Sequence, residues 1–276
     1  MPSSLSISIV VYRTPAAHIE ATLQSLHRAL EQAQHRGALA TATLFLIDNE
    51  STARHSAYSS LLQPPLASAH TYATQLVAGH GNIGYGAAHN LALVRSNADY
   101  HLVLNPDVTL DAECLAHALD YLQSHPQTGL LSPVAYAPDG APLYLAKRYP
   151  SLLILALRGF APRWLQMWLQ KKMARYEMRD IPFDQTVSDL SIVSGAFMLM
   201  RRNVWERTGG FDPAFFLYFE DFDLSYRISR FSTITRLNSC RMVHAGGYAA
   251  RKGLSHIGMF VRAAWRFFNK HGWRFF

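Results

Sequence analysis

Three carboxylates lie within four positions of the stretch FFLYFEDFDLSYR (215–227), whose other side chains are mostly aromatic or aliphatic. Burying a carboxylate without a partner is costly, so each acid needs either an ion pair or a chemical task. On a helix that begins near Glu220, Glu220 and Asp223 lie on the side of Arg227, and Asp223 can pair with it one turn later. Asp221 lies on the apolar side instead. Such a carboxylate either caps the helix or serves as a general base in a pocket.

A second acidic site follows the apolar segment LVLNPDV (102–108). Asn105 and Asp107 are two positions apart, so both side chains can project from the same side of an extended chain. Oxygen ligands of this kind suit a Mg²⁺ or Mn²⁺ ion that also binds phosphates. The alternative is a turn stabilised by Asp107.

His244 ends another short apolar segment and is followed by two glycines. A lone histidine is more often a hydrogen-bonded structural residue than a ligand. Arg251 and Lys252 come soon after it, and their side chains could clamp phosphates. This neighbourhood favours a role for His244 near an anion.

The glycine-rich stretch GNIGYGAAHN (81–90) places Gly81, Gly84 and Gly86 between a predicted strand and a predicted helix. Small residues there let the backbone approach a nucleotide diphosphate. The GxxGxG spacing does not match the dinucleotide fingerprint GxGxxG, which disfavours a nicotinamide cofactor. A plain turn is the alternative for this stretch.

Strands that alternate with helices must position these side chains. The alternation predicts an α/β fold with a mostly parallel sheet covered on both faces. Ligands of such sheets bind beyond the carboxyl ends of the strands, where Asp48 and Asn49 could contact a base or ribose, or form a turn. The predicted strands are 5–12, 43–48, 74–79, 100–105, 190–202 and two short ones within 232–247. The predicted helices are 15–30, one that ends near residue 62, 85–96, 111–125, one from about 220 and one near the C-terminus.

The composition describes a basic protein with a large apolar fraction. The chain has 276 residues, 49% of them hydrophobic, and a net charge of +7. No acidic residue follows Asp223, so the C-terminal part is purely cationic and an anion is its natural partner. Cys114 and Cys240 lack CxxC spacing, and we expect two buried free thiols.

The apolar segments bear on location. No window approaches the ~20 apolar residues needed to span a bilayer, and the N-terminus lacks the features of a signal peptide. We therefore expect a cytoplasmic protein. The C-terminal helix has an apolar face and a basic face, so it either lies on an anionic membrane surface or packs on its own domain.

In this order, the motifs resemble those of the inverting nucleotide-sugar glycosyltransferases of family 2, which have the GT-A fold, and most closely the bacterial rhamnosyltransferase branch. The resemblance covers about residues 5–250. Its carriers are SIVVY, LFLIDNES, GNIGYGAAHN, LVLNPDV, SGAFMLMRR, GGFDPAFFLYFEDFDLSYR and VHAGG.

The resemblance implies a role for each motif. Asp221 would be the general base, and Asp107 with His244 would hold the divalent metal. Asn105 stands where the family carries the first aspartate of its DxD motif, and its neutral amide is a weaker metal ligand than a carboxylate. The residues implied to bind the nucleotide-sugar are Tyr12, Asp48, Asn49, Asn82, Gly84, Gly86, Asn90, Asn105, Asp107, Arg251 and Lys252.

The resemblance also implies a reaction and a setting. We expect transfer of L-rhamnose from dTDP-rhamnose to a lipopolysaccharide or lipid-linked glycan acceptor, with Mg²⁺ or Mn²⁺, at the inner face of the bacterial inner membrane, and no nucleic-acid partner. A nucleotide-binding half (about 1–125), an acceptor-binding half (about 126–250) and a basic amphipathic helix (251–276) are expected.

Two alternatives remain open at this point, another donor sugar and a non-catalytic scaffold, and a third is disfavoured. The donor could be another UDP- or dTDP-sugar. A sugar-1-phosphate nucleotidyltransferase would need a glycine- and lysine-rich loop after the first strand, which VVYRTPAAH lacks. A non-catalytic membrane-bound scaffold of the same fold would use the cationic segments 151–180 and 255–274 for anionic lipid.

Overall fold

A computed structural model describes residues 2–50, 58, 72–160, 162–246 and 254–276. The predicted helix that ends near residue 62 lies, apart from residue 58, outside these residues. In this part of the chain, nine strands form one sheet and two more form a small second sheet. The strands are β1 Ser3–Val11, β2 Leu39–Asp48, β3 Ala73–Val77, β4 Tyr100–Leu104, β5 Val108–Leu110, β6 Thr128–Tyr136, β7 Pro142–Leu143, β8 Ala146–Lys147, β9 Ile192–Val193, β10 Phe197–Arg201 and β11 Thr233–His244.

Helices cover the sheet, and most follow a strand directly. The described helices are α1 Ala16–His35, α2 Tyr85–Leu93, α3 Cys114–Ser124, α4 Leu152–Phe160, α5 Arg163–Trp168, α6 Gln170–Tyr176, α7 Arg202–Thr208, α8 Glu220–Ile228 and α9 Leu254–His271.

The order of the large sheet is β3-β2-β1-β4-β10-β6-β11-β5, with β7 paired to β6. Strands β3, β2, β1 and β4 run parallel. Strand β10 is antiparallel to both of its neighbours. The predicted α/β fold with a mostly parallel sheet is confirmed, and β10 lies between β4 and β6 in the sheet.

Both faces of the sheet are buried. On one face, Ile7 and Ile9 of β1 pack with α1 and α3 in the largest apolar cluster. On the other face, Trp205 of α7 and Leu224 of α8 pack against Val103 of β4. The sheet is therefore the middle layer of three, as the near-continuous apolar strands predict.

A buried polar network fixes α2 on this second face. Ser8 Oγ lies 2.6 Å from Nδ1 of His89 on α2 and 2.9 Å from Nε2 of His101 on β4. Ser6 Oγ lies 2.7 Å from His101 Nδ1. Burial lowers the pKa of His101 to about 3 and also lowers that of His89. Both rings are thus neutral, and their hydrogen bonds hold α2 against β1 and β4.

Two predicted strands differ in the structure. The segment predicted as one strand over 190–202 forms β9 and β10, separated by Ser194, Gly195 and Ala196. The two short strands predicted within 232–247 form the single strand β11, whose register shifts between Leu237 and Arg241. A local apolar pattern does not encode either change, because both depend on the neighbouring segments.

The expectation of two free thiols is wrong. Cys114 at the start of α3 and Cys240 on β11 are joined in a disulfide, with their Cα atoms 4.2 Å apart. Both residues are fully buried. Their sequence separation of 126 carries no pairing signal, and it is the packing of α3 on β11 that brings them together.

The C-terminal helix packs on its own domain, which was one of the two alternatives that the sequence left open. Phe267 and Phe268 of α9 are fully buried among aromatic residues that include Phe219 and Phe222. Within the described residues, no helix is long and apolar enough to cross a membrane.

An ion cluster joins α9 to α8. Asp223 is fully buried, and its carboxylate accepts a 2.8 Å hydrogen bond from Nε of Arg227, which confirms the predicted one-turn pair. Its other oxygen lies 2.8 Å from Nε2 of His271 and 2.7 Å from Nζ of Lys270. Burial acts to raise the pKa of Asp223, but the His271 hydrogen bond and the charges of Arg227 and Lys270 outweigh it and lower the pKa.

Replacing Asp223 by Asn should lower the free energy of unfolding by about 3–5 kcal/mol, because it removes the buried negative charge that Arg227, Lys270 and His271 surround. Urea unfolding of the whole chain measures this. Since the folded-state pKa of Asp223 is depressed, its stabilisation is present above the unfolded value of about 3.9 and is lost as the pH falls below it.

Asp180→Asn is the matched control, because Asp180 pairs with Arg148 at the surface, where its side chain is 47% exposed. That change should alter the unfolding free energy by less than about 1 kcal/mol. Equal effects of the two substitutions would contradict the role given to Asp223.

Candidate active site

Polar side chains gather where the parallel strands end. Val11 of β1 pairs with Asp48 of β2, and Ile9 pairs with Leu104 of β4, so the residues after these strands reach one edge of the sheet. Tyr12 lies there with 43% of its surface exposed, and the guanidinium of Arg13 lies 5.3 Å from the centre of its ring. An exposed aromatic ring at this edge is able to pack against a planar ligand.

Asp48 and Asn49 are buried at this edge and form hydrogen bonds within the protein. Asp48 is fully buried, and its Oδ1 accepts a 3.0 Å hydrogen bond from the backbone N–H of Glu50. Asn49 donates from Nδ2 to Oδ1 of Asn82 at 3.0 Å and accepts from the N–H of Ile83 at 3.1 Å. Asn49 therefore ties the end of β2 to the glycine-rich stretch.

The glycines of that stretch accommodate a second loop. Gly84 has φ of 92°, and a Cβ there would lie 2.4 Å from the carbonyl oxygen of Phe216. A Cβ on Gly86 would lie 2.7 Å from Cβ of Phe211. Both glycines are needed for the close packing of residues 211–216 on the start of α2.

Asn90 on α2 secures the same segment. Its Nδ2 donates to the carbonyl oxygen of Phe211 at 2.7 Å, and its Oδ1 accepts from the N–H of Phe211 at 2.9 Å. The side-chain amide is thereby engaged with protein backbone. Contact of Asn90, Gly84 or Gly86 with a nucleotide-sugar stays a prediction.

Asp107 and His244 meet because β5 and β11 pair. His244 lies opposite Val108 in this antiparallel pair, and the N–H of Ala245 donates to the carbonyl oxygen of Asp107 at 3.0 Å. His244 Nε2 consequently lies 3.2 Å from Asp107 Oδ1. Burial acts to raise the pKa of Asp107, but the His244 ring outweighs it and lowers the pKa.

These two side chains fit a divalent cation in part. Oδ1 of Asp107 is buried and accepts no well-formed hydrogen bond within the described chain. One carboxylate oxygen and one imidazole nitrogen suit Mn²⁺ or Mg²⁺ when phosphate oxygens and water supply the other ligands. Within the described residues there is no group of three or more acidic, histidine or cysteine ligands. Arg251 and Lys252 lie outside the described residues.

Asp221 lies in the first turn of α8, after two residues with left-handed backbone. Tyr218 has φ of 71° and Phe219 has φ of 63°, which is unfavourable for aromatic residues and marks a backbone imposed by its surroundings. Asp221 Oδ2 accepts a 2.9 Å hydrogen bond from the N–H of Gly195, and Oδ1 accepts one from the N–H of Phe222 at 2.9 Å. Burial raises the pKa of Asp221 despite these bonds.

Tyr85 is the residue that the sequence analysis missed. Its Oη lies 2.8 Å from Oδ1 of Asn105 and 2.9 Å from the carbonyl oxygen of Gly195. A hydroxyl has one proton to donate and a carbonyl oxygen can only accept. Tyr85 therefore donates to Gly195 and accepts from Asn105, whose amide is then turned to present its NH₂. Asn105 lies in turn 3.5 Å from Nε2 of His244.

These contacts form one continuous path from Asp221 through Gly195, Tyr85 and Asn105 to His244 and Asp107. The three residues predicted from separate motifs, at positions 107, 221 and 244, are thus joined through hydrogen-bond and ion-pair contacts. The one available signal for Tyr85 was a hydroxyl-bearing aromatic residue between two glycines, and it did not specify a partner.

Glu220 adds a buried carboxyl beside the partly buried Asp221. It is 6% exposed, and burial together with the charge of Asp221 raises its pKa to about 8. An acid with a raised folded-state pKa is stabilising when protonated. Between the unfolded value of about 4.3 and pH 8, its contribution to stability therefore falls as the pH rises.

Glu220→Gln should remove this pH-dependent loss. Relative to the original protein, the variant should gain stability between pH 5 and pH 8 by on the order of 2 kcal/mol, measured by urea unfolding at a series of pH values. Glu206→Gln is the control, because the Glu206 side chain is 50% exposed and pairs with Arg202. A difference from the original protein that does not change with pH would show that Glu220 ionises normally.

Comparison with known proteins gives consistent matches. Residues 15–252 match the model of the family described as glycosyltransferase like family 2. The N-acetylglucosaminyl-diphospho-decaprenol L-rhamnosyltransferase of Mycobacterium tuberculosis (strain CDC 1551 / Oshkosh) is 28% identical over 295 residues, covering 99% of this chain and 87% of that protein. The rhamnosyltransferase WbbL of Escherichia coli (strain K12) is 28% identical, covering 71% of this chain and 70% of WbbL.

Solved structures share the fold at lower identity. The mannosyltransferase PcManGT from Pyrobaculum calidifontis, in complex with GDP-Man and Mn²⁺, is 16% identical with a TM-score of 0.58, covering 99% of this chain and 76% of that one. GalNAc-T7 with UDP, GalNAc and Mn²⁺ is 12% identical with a TM-score of 0.57, covering 88% of this chain and 43% of that one. Since the family model matches most of its length and these transferases share its architecture, the chain belongs to glycosyltransferase family 2 and has the GT-A fold.

Proposed function

We propose that this protein is an inverting glycosyltransferase that moves L-rhamnose from dTDP-rhamnose to a hydroxyl of a lipid-linked glycan or lipopolysaccharide acceptor. The observation that carries the proposal is the path of contacts joining Asp221 to Asp107 and His244. These contacts connect the candidate base with the candidate diphosphate site. The named rhamnosyltransferases at 28% identity support the sugar and the acceptor class.

Asp221 is proposed as the general base. It takes the proton of the acceptor hydroxyl while that oxygen attacks the anomeric carbon and the bond from that carbon to the diphosphate oxygen breaks. The nucleoside diphosphate leaves from the opposite face, and no covalent enzyme intermediate forms. The raised pKa of Asp221 brings its basicity closer to what proton transfer from a hydroxyl requires.

The donor is proposed to lie at the edge formed by β1, β2 and β4. Tyr12 would line the base pocket, and Asp48 and Asn49 would contact the nucleoside. The predicted division into a nucleotide-binding half (1–125), an acceptor-binding half (126–250) and the helix 251–276 belongs to this proposal.

Asp107 and His244 are proposed to hold Mg²⁺ or Mn²⁺. The ion would neutralise the charge that develops on the departing diphosphate. Mn²⁺ in two structures of the same fold supports this assignment. Arg251 and Lys252 would add cationic contacts to the phosphates. Asn105 contributes an amide already engaged with Tyr85, so the metal site depends on Asp107 more than on Asn105.

Attachment to the inner face of the bacterial inner membrane is proposed as peripheral. Trp164, Met167 and Trp168 on α5 are 66–79% exposed, and Trp265 on α9 is 59% exposed. Exposed tryptophans beside basic residues suit the interface of an anionic bilayer.

The function is tested by donor hydrolysis and transfer with dTDP-, UDP- and GDP-sugars, each with and without Mn²⁺. We expect dTDP-rhamnose to be preferred and chelation of the metal to reduce turnover. Asp221→Asn should lower kcat by about 10²–10⁴-fold, because it removes the general base, while donor binding measured by calorimetry is retained. A preference for a GDP-sugar would overturn the rhamnose assignment, and full activity of Asp221→Asn would overturn the mechanism.

Tyr85→Phe tests the path between the base and the diphosphate site. The ring stays in place among its apolar neighbours, but Gly195 and Asn105 lose their shared partner. We expect kcat to fall about tenfold with little change in the donor KM. The lost hydrogen bond holds Gly195, which in turn positions the base, and a bond of about 1.4 kcal/mol corresponds to a tenfold change.

The pH profile separates this role from a purely structural one. A less firmly held Gly195 N–H stabilises the Asp221 carboxylate less, so the acidic limb of kcat/KM should move to higher pH. Tyr226→Phe on α8 is the control, because the Tyr226 ring makes aromatic contacts and should leave the profile unchanged. An unshifted acidic limb in Tyr85→Phe would sink this interpretation.

A further inference from the structure

A cavity of about 460 Å³ lies between α9 and the loop that precedes α8. Phe215, Phe216 and Leu217 form part of the loop wall, and Met259, Arg262 and Arg266 form part of the α9 wall. The volume falls within the range of sites that bind small molecules. None of these residues takes part in the donor site proposed above.

The α9 wall is both apolar and cationic. Met259, Arg262 and Arg266 recur three and four positions apart, so they share one face of the helix. Arg266 Nη1 donates a hydrogen bond to the carbonyl oxygen of Ala214, which fixes its guanidinium at the cavity wall. Arg262 is exposed on the same face.

The charge of this wall is not neutralised within the described part of the chain. The acids near α9, Asp212 and Asp223, both lie 2.7 Å from Nζ of Lys270. Among the described residues, no carboxylate forms an ion pair with Arg262 or Arg266. The cavity therefore offers two guanidinium groups to an anion beside apolar side chains.

The loop wall connects the cavity to Tyr85 and to the helix that carries Asp221. The carbonyl oxygen of Phe216 accepts a 3.0 Å hydrogen bond from the N–H of Tyr85. Four residues after Phe216, α8 begins with Glu220 and Asp221. An acceptor held in the cavity would thus lie next to the loop that leads into the proposed base.

We propose that this cavity binds the phosphate-bearing portion of the lipid-linked acceptor, with Arg262 and Arg266 as phosphate ligands and the apolar wall against the first carbons of the lipid. The inference rests on the proposed function for the identity of the acceptor. Guanidinium groups bind phosphate oxygens through paired, charge-assisted hydrogen bonds. An amphiphile with phosphate between its sugar and its lipid matches both parts of the cavity.

A binding experiment tests the cavity without turnover. Calorimetric titration of the whole protein with farnesyl diphosphate, with dTDP present to fill the nucleotide site, should show binding that weakens at least about tenfold in Arg262→Gln. Arg262→Lys should lose less, since it keeps the charge. Arg28→Gln is the control, because Arg28 is exposed on α1 and does not line the cavity. Equal binding by Arg262→Gln and the original protein would overturn the proposal.

Two further ligands separate other anionic occupants. Inorganic diphosphate should bind more weakly than farnesyl diphosphate, and phosphatidylglycerol vesicles should bind Arg262→Gln nearly as well as the original protein. Equal affinity for inorganic diphosphate would show a site for free phosphate. A loss of vesicle binding as large as the loss of farnesyl diphosphate binding would show a site for the membrane surface. Either result would overturn the assignment to the acceptor.

Transfer kinetics provide the second arm. The KM should be compared for one sugar carried on a prenyl diphosphate and on an uncharged alkyl chain. Arg262→Gln should raise the first KM about tenfold and leave the second KM and donor hydrolysis unchanged. Equal effects on both acceptors would overturn the proposal.

The two hypotheses fail in different ways. If the original protein neither hydrolyses nor transfers any tested sugar, the proposed function fails. The farnesyl diphosphate titration still decides the cavity in that case, because it depends on binding alone.

Discussion

The hydrogen bond from the N–H of Gly195 to Asp221 is the contact on which the candidate site depends. It joins the sheet, through the segment between β9 and β10, to the first turn of α8. A Cβ on Gly195 would lie 3.3 Å from both Cβ of Asp221 and Cε1 of Tyr85, so a larger residue would push these groups apart. The break in the predicted strand 190–202 therefore frees the N–H of Gly195 from the sheet and lets it donate to the carboxylate.

The hydrogen bond between Tyr85 and the other side of the same peptide segment, the carbonyl oxygen of Gly195, explains why α2 is restrained at several points. Tyr85 reaches Gly195 only if the start of α2 is fixed relative to β4 and β10. The histidine and serine network beneath the helix, the Asn49 bonds to the glycine-rich stretch and the Asn90 bonds to Phe211 all restrain α2. Several polar residues that a motif search assigns to the ligand thus act first on the protein, and a ligand would bind to the surface that they hold in place.

The sequence predicted the parallel half of the sheet because each strand there is a local apolar run followed by an amphipathic helix. It also predicted that Asp223 pairs with Arg227, since that pair lies one turn apart on a single helix. It did not predict the disulfide between Cys114 and Cys240, the partners of Asp223 on α9, or the role of Tyr85. Each of these joins residues far apart in the chain, and a pattern of residue types contains no information about which distant segments pack together.

The three acids of the opening motif show how position within one helix turn divides stability from chemistry. Asp223 is fully buried among Arg227, Lys270 and His271, which keep it ionised and make it a structural residue. Glu220 and Asp221 lie one residue apart with no such cations in the described surroundings, so burial raises the pKa of both. Two neighbouring carboxyls that are shielded from water repel each other when both are ionised, so one of them retains its proton more strongly. Because Asp221 accepts two backbone N–H bonds, the negative charge is better stabilised on Asp221 and the proton on Glu220. The helix that anchors the fold at Asp223 is therefore also the one that presents a single, raised-pKa carboxylate to the site.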